Sequence, residues 1–176
     1  MNKIVTYDKL GNKIGLQTRK NVHTKGFWHK GIQLNIYCHG KILIQKRSAE
    51  CDIAWNLYDQ SLAIQMIESD DENDQKTLKR GLLNELGLDL GLLPKPQKVA
   101  GPYKIEKTYK YAPELRNNEF VTLYKINLDK MITFKINRHK IDLAEWVDIE
   151  NVKKDVNSNP DKYTKTFLFW IKKGYI

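Results

Sequence analysis

Two histidines, His23 and His29, two isolated carboxylates, Glu85 and Glu119, and an acidic run, Glu68, Asp70, Asp71, Glu72 and Asp74, are the residues of this chain best suited to chemistry. Imidazole nitrogens and carboxylate oxygens are donors that hold divalent cations. Mg²⁺ prefers several hard oxygens, so the acidic run is one candidate source of them. The same run suits the first turn of a helix, whose N-terminus is positive, and would then be a solvated face. The histidines could equally be partners for buried polar groups. Cys38 and Cys51 give no disulfide framework and no paired metal spacing. Both read as free thiols of a reducing cytoplasm, Cys38 as a small core residue.

The elements that must position these groups follow from periodicity. Lys3 to Thr6 and Ile14 to Gln17 read as short strands around a turn at Asp8 to Asn12. Phe27 to Cys38 alternates, with Ile32, Leu34, Ile36 and Cys38 on one face, which predicts a strand. His39-Gly40 turns the chain into a second strand, Lys41 to Arg47. Ser48 to Asn56 reads as a loop and Leu57 to Ile67 as strand-like. Leu78, Leu82, Leu83 and Leu86 recur at helical spacing, capped by Asn73 or Asp74 at the start and Gly87 at the end. Gly91 to Gln97 is a connector. Lys98 to Tyr111, Glu119 to Asn127 and Ile141 to Asp148 read as strands, with Tyr111 to Asn118 as a loop. Pro160 to Lys172 predicts a last helix with Tyr163, Phe167 and Trp170 on one side. The expected organisation is one α/β domain over residues 1–176.

The order strand, hairpin, loop, strand, acidic loop, helix ending Glu85-Leu86-Gly87-Leu88 resembles the Nudix hydrolase superfamily. Its box is G-x5-E-x7-R-E-U-x-E-E-x-G-U, with U a bulky aliphatic. Arg80 to Leu88 lie over the last nine positions, Glu72 over the first Glu, and Met66 over the leading Gly. Further segments resemble the isopentenyl-diphosphate-isomerase-like branch: Val22 to His29, with its two histidines; Lys41 to Ser48; Tyr58-Asp59-Gln60-Ser61-Leu62-Ala63; Asn117-Asn118-Glu119-Phe120-Val121; and Trp146 with Asn159 to Thr164. The likeness spans roughly Lys3 to Trp170. It implies a mixed β-sheet sandwiched by helices, an α/β/α Nudix fold.

The resemblance also implies a site and shows what that site lacks. The box carboxylates fall at i, i+3 and i+4 of a helix and so share one face. Metals held there activate water and neutralise diphosphate charge. Those positions are Gly81, Asn84 and Glu85 here, so the box is degenerate. Gly81 costs about 0.5–1 kcal/mol against Ala within a helix, which leaves close backbone approach or drift as its reason. The isomerases use a Cys-Gly-His segment where Ala63-Ile64-Gln65 stands, so the acid–base Cys and one metal His are missing and isomerase activity is not expected. The implied catalytic residues are Glu85 and Glu119, and the implied metal ligands are Glu85, Glu72, Glu119, His23 and His29, with Asn117 in place of a neighbouring ligand Glu. Arg19, Lys46 and Arg47 resemble the positions that grip diphosphate, and Arg suits bidentate phosphate contact.

The bulk numbers limit the alternatives. The chain has 176 residues, 41% hydrophobic and 29% charged, with a net charge of +9. No apolar run is long enough for a membrane helix, and the N-terminus does not read as a signal peptide, so a cytoplasmic protein is expected. The lysines are scattered, with denser runs at 107–110 and 162–173 that read as a solvated surface, and there is no Arg-rich tract. Nucleic-acid binding is therefore the least favoured class. The expected function is a Nudix hydrolase-like protein acting on or binding a nucleoside or prenyl diphosphate, with Mg²⁺ or Mn²⁺ weakly bound and activity impaired or atypical. The alternative is a non-catalytic module that binds a ligand or a protein. A homodimer is compatible with the sequence.

Overall fold

The long strand predicted from Ile32, Leu34, Ile36 and Cys38 is the hub of the molecule. In the computed structural model, which describes residues 2–109 and 111–176, it is β3 (Trp28–Cys38). It follows β1 (Ile4–Tyr7), β2 (Lys13–Gln17) and a short helix, α1 (Arg19–Lys25). After it come β4 (Lys41–Arg47), β5 (Tyr58–Asp59), β6 (Leu62–Gln65), α2 (Asp74–Leu86), β7 (Gln97–Tyr109), β8 (Ala112–Leu128), β9 (Ile141–Asp148), α3 (Ile149–Ser158) and α4 (Lys165–Lys172). Among the described residues nine strands form one mixed sheet.

One edge of β3 runs parallel to β8 from Trp28↔Asn118 to Cys38↔Leu128. Its other edge is shared in turn by β1 at Trp28 and His29, β6 at Gly31 to Leu34, and β4 at Tyr37 and Cys38. β9 pairs with β4 from Lys41 to Arg47, and beyond the hairpin β4 leaves β3 and takes β5, so the sheet forks. Ser61 bridges the fork. Its hydroxyl accepts from the Ile36 N–H at 2.8 Å and donates to the Leu43 carbonyl. Buried backbone groups need such partners where a ladder opens.

Helices cover both faces, giving the expected α/β/α sandwich. Leu78, Leu82 and Leu86 of α2 pack on Ile32, Leu34, Ile36 and Cys38. On the other face Val152 and Val156 of α3, with Tyr163 and Phe167, pack on Ile42 and Ile44. Asn73 caps α2 by accepting from Gln75 and Lys76, and Gly87 ends it in the left-handed region at φ 63. Gly81 meets the sheet directly. A Cβ there would stand 2.8 Å from both Ile64 Cδ1 and Leu62 Cδ2. Close backbone approach is thus the reason for this glycine.

The structure corrects several expectations. Residues 112–118 are strand, not loop, because β7 and β8 pair as far as Tyr109↔Ala112. Lys110, inside the predicted strand and lysine run, and Met1 lie outside the described residues. Lys107, read as surface, is 8% exposed. Helices α1 and α3 were not foreseen, and the last helix begins at Lys165 after a 3₁₀ turn at Pro160–Lys162. Asp70 is not part of a solvated run. It is 2% exposed and accepts from Arg80 Nε at 2.9 Å and Nη2 at 2.7 Å, from Thr77 Oγ1 and from the Ile67 N–H. No helix among the described residues is long and apolar enough to cross a membrane.

Candidate functional site

A cleft of about 1040 Å³ opens in the fork, lined from β3, β4, β5, β6, β7, β8, the end of α2 and the 48–57 loop. Of the site residues singled out from the sequence, Arg19, Arg47, Glu85, Asn117 and Glu119 line it. His23 and His29 stand behind it, joined to it through Gln65.

Gln65 sits between the two imidazoles. His23 Nδ1 lies 3.1 Å from the Arg116 carbonyl and His29 Nδ1 lies 3.2 Å from the Phe27 carbonyl. A carbonyl only accepts, so both Nδ1 atoms carry the proton and both Nε2 atoms present lone pairs. The Gln65 amide nitrogen is 2.9 Å from each Nε2 and has two hydrogens, one for each ring. Its oxygen accepts from Arg19 Nη1. Burial, then the Arg19 charge, pushes His23 down to about 4, which keeps it neutral near pH 7.

Glu119 crosses the face of β3 at Gly31, where a Cβ would stand 2.9 Å from its Oε1. Its Oε2 accepts from Lys107 Nζ at 2.6 Å and from Asn117 Nδ2 at 3.0 Å. Lys107 also donates to Thr166 Oγ1 at 2.7 Å. Burial works against the Glu119 charge, and the Lys107 ammonium and His29 together outweigh it, holding the carboxyl well below the usual range. Glu119 Oε1 is 3.6 Å from His29 Nε2, beyond a hydrogen bond.

Glu85 lies on the α2 wall with Asn84. Burial raises its carboxyl to about 7, against the nearby Arg47 and Lys140. Arg47 is 3.8 Å from Asp59 Oδ2 and also donates to the Ile53 carbonyl. Asp59 is pushed upward by burial. Arg19 makes a two-pronged pair with Asp52, Nε–Oδ2 2.7 Å and Nη2–Oδ1 2.8 Å, so it braces the 48–57 loop. Lys46 alternates with the cleft-lining Gln45 and Arg47 and so points to the other face of β4.

Glu72 does not line the cleft. It accepts from Tyr7 and from Lys30 Nζ at 2.8 Å. It precedes α2, whereas Glu85 is near the C-terminal end, so the helix alone separates them by roughly 16 Å. Asp70, not Glu72, is the acid paired with Arg80. Among the described residues no three His, Cys, Asp or Glu side chains form a metal-binding group. The two imidazoles that come together spend their lone pairs on an amide. The five implied metal ligands therefore do not fit one ion. Sequence reasoning missed Lys107 and the pivotal contact of Gln65, which it noted only as a lost histidine.

A forked mixed sheet between helices, with a helix ending in Glu85-Leu86-Gly87-Leu88 beside the cleft, defines a Nudix-fold protein. Solved structures agree at the level of fold. The Deinococcus radiodurans protein DR0079 superposes with a TM-score of 0.68 at 15% identity, covering 89% of this chain and 90% of that one. The NUDIX domain of Shewanella oneidensis NrtR, complexed with ADP ribose, gives 0.54 at 13%, covering 78% and 88%. RenU, a Nudix hydrolase from M. smegmatis, gives 0.58 at 11%, covering 97% and 90%. In sequence the chain is 23% identical to isopentenyl-diphosphate Delta-isomerase 2 of Aromatoleum aromaticum, over 97% of this chain and 82% of that protein. No protein-family model matches the sequence.

Proposed function

We propose that this Nudix-fold protein binds a diphosphate-bearing compound in the fork cleft through its own cations, with metal-dependent hydrolysis lost or strongly impaired. The observation that carries this reading is the Gln65 carboxamide between His23 and His29, donating to both Nε2 atoms. Gly81 and Asn84, at the other two box positions, add no carboxylate beside Glu85. Arg19, Arg47, Arg80, Lys107, Lys140 and Lys165 line the cleft against Glu50, Asp52, Asp59, Glu85, Glu119 and Asp161. Burial disfavours the charged forms of Glu85 and Asp59, which eases the approach of an anion to these cations. The NrtR domain, solved with ADP ribose, and the isomerase relative, named for isopentenyl diphosphate, supply the ligand class.

Calorimetric titration with inorganic pyrophosphate and organic diphosphates, in EDTA and in Mg²⁺ or Mn²⁺, tests this. Affinities should agree within about twofold, with no phosphate release above background. Binding that needs the metal, or metal-dependent turnover, would sink the proposal. One observation favours a second reading, weak hydrolysis: Glu85, at about 7, is poised to take a proton from water near neutral pH. That reading requires a turnover whose pH profile bends near 7 and disappears in Glu85→Gln.

A further inference from the structure

The inward face of β7 runs Tyr103, Ile105, Lys107, Tyr109, and the lysine is its odd member. Residues two apart share a strand face, so the pattern calls for an apolar side chain there. Lys107 is instead the one buried lysine among the described residues. A buried ammonium is costly unless its hydrogens are matched. Nζ has three of them. One goes to Glu119 Oε2 at 2.6 Å and one to Thr166 Oγ1 at 2.7 Å. The third has no acceptor among the described residues, and Lys107 lines the cleft.

The groups around this ammonium are oxygen donors that would suit a metal. Asn117 Nδ2 donates at 3.0 Å to the same Glu119 oxygen that Lys107 holds. Asn117 is 4% exposed, and its Oδ1 has no hydrogen-bond partner among the described residues. Glu119 Oε1 faces His29 Nε2 at 3.6 Å. A divalent ion at Glu119 would balance the carboxylate and attract phosphate oxygens. The ammonium balances the same charge with no metal, and lysine binds phosphate as a point charge.

We propose that the Lys107 ammonium is the built-in cation of this cleft: it does at Glu119 what a divalent ion would do, and it gives its third hydrogen to a phosphate oxygen of the ligand. The proposal rests on the diphosphate-binding reading and names the group that makes that binding independent of metal. Calorimetry of the full chain with inorganic pyrophosphate, in EDTA and in Mn²⁺, tests it together with melting curves. Lys107→Met/Glu119→Gln removes both charges and strands neither. In EDTA it should bind pyrophosphate about tenfold or more weakly than wild type, the loss expected for a hydrogen bond to a charged group. Lys107→Met alone leaves the Glu119 carboxylate and Asn117 Oδ1 to an added ion. Mn²⁺ should therefore raise its Tm, or fold it where it is unfolded in EDTA, as read by circular dichroism. The Tm of wild type and of the double variant should not respond to Mn²⁺. Wild-type affinity in the double variant reduces Lys107 to a structural ion pair and overturns the proposal while diphosphate binding stands. A Lys107→Met chain that ignores Mn²⁺ overturns it likewise. Failure of wild type to bind pyrophosphate in either buffer overturns the proposal and the reading beneath it.

Discussion

Adding one methyl group at position 81 should destabilise this protein even though it improves the helix. In an open helix Gly→Ala gains about 0.5–1 kcal/mol, because alanine loses less backbone freedom on folding. Here the new Cβ would meet Ile64 Cδ1 and Leu62 Cδ2, both at 2.8 Å, and Ile64 Cγ2 at 3.2 Å. Leu62 is fully buried and has little room to yield. Overpacking of this kind costs about 1–3 kcal/mol. The clash wins, and Gly81→Ala should lose about 0.5–2 kcal/mol net. That is a fall of a few degrees in Tm for a chain of this size. Urea denaturation should show a lower midpoint at unchanged slope. Ile64→Val removes the nearer methyl, so the same substitution should cost less in that background. A Gly81→Ala variant more stable than the parent would refute the reasoning. It would also mean that a carboxylate at position 81 was not excluded by the packing of α2 on β6. If the clash holds, Gly81→Glu restores a box acid only at the expense of the fold.

Replacing Gln65 by His should remove the amide plug and bring a third imidazole to His23, His29 and Glu119. Co²⁺ or Zn²⁺ affinity, by calorimetry and Co²⁺ absorption, should rise at least about tenfold over the parent, and no gain would count against the plug. Glu85 makes stability pH-dependent: its folded value of about 7 exceeds the ordinary 4.5, so its contribution is present below about 4.5 and is lost as pH rises through 7. His23, pulled down to about 4, acts in the opposite sense between about 4 and 6.5, so the comparison must be with Glu85→Gln. The stability of wild type relative to that variant should fall between pH 5 and 8, and a flat difference would sink the assignment. Asp70→Ala should cost about 3 kcal/mol by stranding Arg80 beside a buried site. Glu72→Ala, at a half-exposed ion pair, should cost less than about 1 kcal/mol, and the reverse ranking would count against Asp70 as the acid that holds Arg80.

Much of the frame was legible in the sequence because it rests on local periodicity. The alternation of Ile32, Leu34, Ile36 and Cys38 and the spacing of Leu78, Leu82 and Leu86 each settle which face an element buries, and these faces form one core cluster. Gly87 and Asn73 marked the ends of α2 because capping is a contact between near neighbours. Two missed helices had the same kind of signal. Thr18 and Gly26 cap α1, and Asp148 caps α3 ahead of Val152 and Val156. The strand nature of residues 112–118 was not legible, since it depends on pairing with β7.

The sequence by itself determined the donor types the chain possesses, the gaps at Gly81, Asn84 and Gln65, and a pattern sufficient for the Nudix fold. Only the tertiary structure decided how those groups are spent. It gave Arg80 to Asp70 and Glu72 to Tyr7 and Lys30. It sank Lys107 against Glu119 and spread one amide across two histidines forty-two and thirty-six residues away. The reason is physical. Caps and amphipathic faces are fixed by residues within a turn or two of each other, whereas a hydrogen bond or ion pair between distant segments exists only where the sheet brings them into register. The β3–β8 ladder, for example, sets His29 opposite Glu119.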